Sequence, residues 1–167
     1  MEGPKRKQIR LPEYDYSRAG CYFITVCSEG RKALFWNAVG ADIIRLDMPP
    51  LSACDMIVKQ AILGIPVHYP QVTIHKWVVM PDHIHLLLQI TETDGRMISA
   101  PTRTISTIIG QMKRAASKAA GRPIWQKGFY DHIVRNDRDF LDIWTYIDTN
   151  PAKWAEDRCY SGEGAAL

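Results

Sequence analysis

Two histidines separated by one isoleucine, His83 and His85 in VVMPDHIHLLLQI (residues 78–90), are the first side chains of this sequence whose types and spacing could do chemistry. In an extended strand alternate side chains share a face, so the two imidazoles point one way and Ile84 the other. Two nitrogen ligands then sit side by side, as a metal would need them. The same spacing suits a pair of hydrogen-bonded strand histidines, so the neighbours must decide. A second group lies in DFLDIWTYIDTNP (139–151). At about 100° per residue, Phe140, Ile143, Trp144 and Ile147 make the buried stripe of a helix. Tyr146 and Asn150, four apart, share the flank of that stripe with Asp139 on the same side. A boundary tyrosine and a helix-terminal asparagine would fit that pattern equally.

The elements that must position these groups follow from periodicity and turn chemistry. CYFITVCS (21–28) reads as a strand, and a short hairpin fits around 33–46. Apolar positions from Leu51 to about Leu63 suit an amphipathic helix closed by Gly64 and Pro66. VTIHKWVVM (72–80) and HIHLLLQI (83–90) form a hairpin about Pro81-Asp82, followed by a loop over 91–101. A helix spans about Thr102 to Ala120 and stops at Gly121 and Pro123; WQKGFYDHIVRN is partly extended; a last helix runs from Asp137 and ends by Asn150, because Pro151 disfavours helical geometry before it. This order implies an α+β, ferredoxin-like (split βαβ) antiparallel sheet with helices on one face. The extra C-terminal helix carrying Tyr146 is then available to cover the other.

At 167 residues the chain fits one domain, read as a basic N-terminal arm over 1–19, a single domain over 20–158 and a tail over 159–167. No apolar stretch approaches the roughly 20 residues a bilayer requires, and MEGPKRKQIR lacks the apolar segment of a signal peptide, so a cytoplasmic location without a membrane partner is expected. Cys21, Cys27, Cys54 and Cys159 contain no C-x-x-C pair, which argues against a zinc knuckle and a disulfide scaffold. A net charge of +3 does not by itself imply nucleic acid, but the charge is clustered: Lys5, Arg6, Lys7 and Arg10 form one group, and Lys113, Arg114, Lys118 and Arg122 another.

The third alternating position after His83 and His85 is Leu87, which excludes the nucleophilic histidine of histidine-triad nucleotide hydrolases. Four ordered segments, YDYSRAGCYFITVC, VVMPDHIHLLL, WQKGFYDHIVR and YIDTNPAKW, instead make the chain resemble the single-tyrosine HUH transposases, especially the REP-associated tyrosine transposase branch, over roughly residues 9–158. HUH denotes histidine, bulky hydrophobe, histidine. The resemblance implies that His83 and His85 bind a metal and act in catalysis, that Tyr146 is the catalytic nucleophile, and that Asn150 supplies a third ligand oxygen where other branches carry glutamine. It implies magnesium as cofactor; two imidazoles lean toward manganese, and no nucleotide cofactor is needed. It also implies a partner, single-stranded DNA with a hairpin or palindromic element, and either a monomer or a homodimer.

The implied reaction is cleavage and rejoining of single-stranded DNA through a 5′-phosphotyrosine. A phenol with an ordinary pKa of about 10 is a weak nucleophile at neutral pH, so charge stabilisation must come from the metal. Lys5, Arg6, Arg10, Lys113, Arg114 and Arg135 are candidate phosphate contacts, and Trp125 and Gln126 could stack on and read an unpaired base. Tyr130 is the competing nucleophile, without an amide in the register that Tyr146 has with Asn150. Two other readings remain at this level: a hairpin-binding protein without catalysis on the same fold, and a phosphodiesterase that uses water and dispenses with Tyr146.

Overall fold

The computed structural model describes residues 19–36, 52–91 and 104–153. The elements in chain order are β1 (Gly20–Cys27), a 3-10 turn (Glu29–Arg31), α1 (Ala53–His68), β2 (Val72–Val79), β3 (His83–Ile90), α2 (Ile105–Ala119), β4 (Tyr130–Val134) and α3 (Asp137–Lys153). The strands form one sheet in the order β2-β3-β1-β4, with every neighbouring pair antiparallel. Strand β3 therefore separates β1 from β2, and β1 separates β3 from β4, which is the expected split βαβ arrangement.

Alternation along β1 and β3 sorts their side chains into two layers. Tyr22, Ile24 and Val26 of β1, with Ile84, Leu86 and Leu88 of β3, are fully buried in the larger core with α1 (Val58, Ile62, Ile65) and α2 (Ile105, Ile108, Ile109, Met112). The opposite face carries Phe23, Thr25, His83, His85 and Leu87. Helix α3 lies across it, with Ile143 and Ile147 packed on Leu87 and with Phe23, Cys21, Val78, Val134, Phe140 and Trp144 around them. An antiparallel sheet commonly leaves one face wet. Here α3 closes the second face, and β3 is buried on both sides.

Two helix ends differ from expectation. Helix α1 continues past Gly64 and Pro66 to His68. Pro66 deprives the Ile62 carbonyl of its donor, but the proline is exposed while Ile65 and Tyr69 extend the buried stripe, so packing outweighs local propensity. Likewise α3 runs through Pro151 to Lys153, because Asn150 beside the proline is itself buried. The other helix signals hold: Ser52 and Thr104 accept the backbone N–H of Asp55 and Thr107, and Gly121 closes α2 at a φ of 67°. In β2 the register skips His75 between Ile74 and Lys76, a bulge. Most of the expected 33–46 hairpin, most of the 91–101 loop and nearly all of the basic arm lie outside the described residues.

The small core under α3 depends on few side chains. Ile147→Ala is expected to lower the unfolding free energy by about 2–4 kcal/mol, measured by urea denaturation.

Candidate active site

The site is built where β3 leaves its turn. Pairing sets Cys27 opposite His83 and Thr25 opposite His85, and places Val78 on the other side of His85. Both imidazoles are almost fully buried, His83 at 0% and His85 at 2% exposure. Buried polar groups need partners, and each ring has one behind it. Asp82 Oδ1 accepts a 2.6 Å hydrogen bond from Nδ1 of His83, while Thr25 Oγ1 lies 2.9 Å from Nδ1 of His85. The two outward nitrogens converge: Nε2 of His83 is 3.0 Å from Nε2 of His85. A carboxylate or hydroxyl behind the far nitrogen of an imidazole, with the near nitrogen aimed at a common point, is the usual support of a metal-binding histidine.

Helix α3 delivers the tyrosine to the same point. Tyr146 Oη is 3.4 Å from Nε2 of His85, within one chain. Phe23 fixes both rings from below, stacked on His85 at 5.1 Å and edge-on to Tyr146 at 6.0 Å. Tyr146 remains 42% exposed, so a nucleophile at the site can meet a substrate from solvent. Asn150 sits deeper than expected, at 3% exposure and in the buried stripe with Ile143 and Ile147 instead of on its flank. Its Nδ2 has no hydrogen-bond partner among the described residues. Half a turn of the amide puts the oxygen, a ligand atom, where that unpartnered nitrogen stands. Among the described residues no three His, Cys, Asp or Glu side chains converge on one point.

The helix is pinned at both ends. At its start Asn136 Oδ1 accepts the Asp139 N–H at 2.9 Å, and the Asp139 carboxylate accepts from Nε2 of His132 at 3.0 Å and from the Arg135 N–H at 3.2 Å. Burial pushes the Asp139 carboxyl up, but the bonds and charges of His132 and Arg135 together outweigh it and hold it below the ordinary carboxylate range. Farther along, Asp148 pairs with Lys76 of β2, whose ammonium also lies 4.6 Å from the Trp144 ring centre. Burial raises the Cys21 thiol to about 11, so it is protonated at neutral pH.

The other candidate residues scatter. Lys113 does not point to solvent: its ammonium donates to the carbonyls of Gln126 at 2.7 Å and Gly128 at 2.6 Å, and burial lowers its pKa. It fastens α2 to the segment entering β4. Trp125 is a core residue at 7% exposure against Phe35, with ring centres 5.2 Å apart, and is not placed to stack on a base. Gln126 is half-buried, its N–H on the Cys27 carbonyl, while Arg114 and Arg135 are exposed. Lys5, Arg6 and Arg10 lie outside the described residues. Tyr130 is half exposed and sits opposite Thr25, one strand removed from His85. Sequence reasoning overlooked Asp82, Thr25 and Phe23. Asp82 stood beside the histidines but read as a turn residue, and the other two emerge only once β1 is registered against β3.

The family model described as IS200-like transposase matches residues 57–150. An uncharacterized protein of Haemophilus influenzae is 30% identical over 173 residues, covering 93% of each chain. The REP-associated tyrosine transposase of Escherichia coli K12 is 26% identical over 139 residues, 83% of this chain and 70% of that one. Among solved structures, a REP-associated tyrosine transposase bound to a REP hairpin superposes with a TM-score of 0.61 at 26% identity, covering 86% of this chain and 74% of that chain. No helix among the described residues is long and apolar enough to cross a membrane.

The Asp139 contacts give a pH signature. A carboxyl held below its ordinary value stabilises the fold above the unfolded pKa of about 3.9 and loses that contribution as pH falls through the folded value. Wild type should exceed Asp139→Asn by about 0.5–1 kcal/mol at pH 6, with the gap closing below about pH 4, as read from urea midpoints across that range.

Proposed function

Because the chain belongs to the IS200-like transposase family, we propose that it is a metal-dependent transposase that nicks single-stranded DNA beside a hairpin and rejoins strands through a 5′-phosphotyrosine on Tyr146. The observation that carries this reading is the convergence of Tyr146 Oη on the paired Nε2 atoms of His83 and His85, at 3.4 Å from His85, inside a single chain. A non-catalytic hairpin binder has no use for that convergence. The hairpin partner is supported by the solved relative, which is bound to one.

Magnesium or manganese bound by His83, His85 and Asn150 would supply the positive charge that draws in the scissile phosphate and offsets the charge growing on it. The donor set fits: two imidazole nitrogens and one buried amide with an unpartnered end. The chain's own groups do the rest. Asp82 and Thr25 hold the two rings from behind, and Phe23 sets the plane of His85 and the approach of Tyr146. Tyr146 Oη attacks phosphorus, a new O–P bond forms, and the bond from phosphorus to the 3′ oxygen breaks. The phenol proton passes to solvent, to which the side chain is open, and the 3′ oxygen leaves as a hydroxyl. The phosphodiester is conserved in the tyrosine link, so a 3′-hydroxyl can reverse the attack without nucleotide hydrolysis.

Arg114 and Arg135, exposed on α2 and at the end of β4, are proposed phosphate contacts together with Lys5, Arg6 and Arg10, and half-buried Gln126 is a proposed base contact. Lys113, engaged with two carbonyls, contributes to this surface by position only.

Incubation of end-labelled single-stranded hairpin DNA with the protein and either metal should yield a covalent adduct on denaturing gels. Tyr146→Phe should abolish it, and His83→Ala should slow cleavage by about 10²–10³-fold while hairpin binding persists. Cleavage that survives Tyr146→Phe would defeat the phosphotyrosine route in favour of water, and binding without any adduct would identify a non-catalytic hairpin binder.

A further inference from the structure

The segment after β1 is laid over the Pro81-Asp82 turn by two backbone bonds, Ser28 N–H to the Asp82 carbonyl at 2.8 Å and Phe35 N–H to the Pro81 carbonyl at 3.0 Å. Between them Gly30 and Arg31 both adopt positive φ, 62° and 56°. For glycine this is ordinary, but for arginine it is strained, and strain at a non-glycine residue persists where its surroundings demand that position. The conformation brings Nη1 of Arg31 to 3.9 Å from Oδ2 of Asp82. The other oxygen of the same carboxylate accepts from Nδ1 of His83. Asp82 is 5% exposed at its side chain and Arg31 32%, so a cation reaches from the rim toward a buried anion.

We propose that Arg31 is a positioning residue for His83, acting through Asp82. With one oxygen hydrogen-bonded to an imidazole N–H and the other facing a guanidinium at 3.9 Å, the carboxylate is drawn toward the orientation that serves His83. His83 then keeps its proton on Nδ1 and presents the Nε2 lone pair toward His85. This rests on the reading of His83 and His85 as metal ligands, and it adds a residue 52 positions upstream whose contribution is orientation. The strained backbone supplies a clean variant. Arg31→Gly removes the guanidinium and also relieves the positive φ, so a purely structural arginine would be replaced at no loss or at a gain in stability.

Two measurements on the full chain test this. Titration with manganese, followed by the electron paramagnetic resonance signal of the unbound ion, should show one site in wild type and its loss in His83→Ala. Arg31→Gly should bind roughly three- to tenfold more weakly with an unchanged or higher Tm, and Arg31→Lys should recover most of that loss. Wild-type affinity in Arg31→Gly, alongside loss in His83→Ala, overturns the proposal and leaves the metal reading intact. Should wild type bind no manganese, or His83→Ala bind it equally, the metal reading falls. The ring nitrogen resonances of metal-free protein then decide for Arg31. A single Nδ1–H tautomer of His83 in wild type that becomes mixed in Arg31→Gly supports the proposal, and an identical tautomer in both overturns it.

Discussion

A strand buried on both faces must leave no polar side chain without a partner, and that constraint governs how this molecule is put together. Strand β3 lies between the α1–α2 core and α3, yet carries two imidazoles. An unpaired polar group in that setting costs about 1–3 kcal/mol, so the histidines dictate their neighbourhood. Asp82 must close the turn before β3, and Thr25 must fall opposite His85. The result is a continuous chain of hydrogen-bonding groups, Asp82 to His83 to His85 to Thr25, crossing from the turn to the next strand. Because the sequence of β1 must deliver Phe23 and Thr25 to one face and Tyr22, Ile24 and Val26 to the other, the larger core and the site share a single alternation.

Helix α3 is the other half of the arrangement, and it is held by unlike forces along its length. A charged and hydrogen-bonded cluster fixes its start, two isoleucines on Leu87 anchor its middle, and an ion pair to β2 holds its second half. The exposed ion pair contributes little; the isoleucines carry most of the attachment. Tyr146 stands at the margin of this contact and not inside it, which keeps the hydroxyl at the histidines while the ring stays accessible. On the opposite side of the site, the left-handed backbone at Arg31 is tolerated at a cost of about 1–2 kcal/mol.

The sheet, the shared face of His83 and His85 and the buried stripe of α3 were legible because each rests on a simple period. The approach of Tyr146 to the histidines followed from the family resemblance, since no period links residues some sixty positions apart. What escaped depends on register or on tertiary override. Thr25 and Phe23 lie on a strand that reads as generic until it is paired with β3. Pro66 and Pro151 signal helix ends, but burial of Ile65, Tyr69 and Asn150 carries both helices through them. Lys113 and Trp125 matched the composition of a nucleic-acid surface, and the fold spends one on two carbonyls and the other on the core. Asn150 was placed on the correct helix and in its register with Tyr146, but its burial was not foreseen.

The bulge at His75 carries a consequence for the length of β2. Ile74 opposes Leu88 and Lys76 opposes Leu87, so one residue is absorbed without a partner and every later side chain changes face. That inversion sends Lys76 toward Asp148 and turns Trp77 and Val79 inward. Were the strand of the same length paired without the bulge, His75 would take the place opposite Leu87, Lys76 would be pressed into the main core and Trp77 would turn against α3. The surplus residue at His75 therefore acts as a frame correction, bringing a segment whose own count would be out of phase into step with the two faces of the sheet.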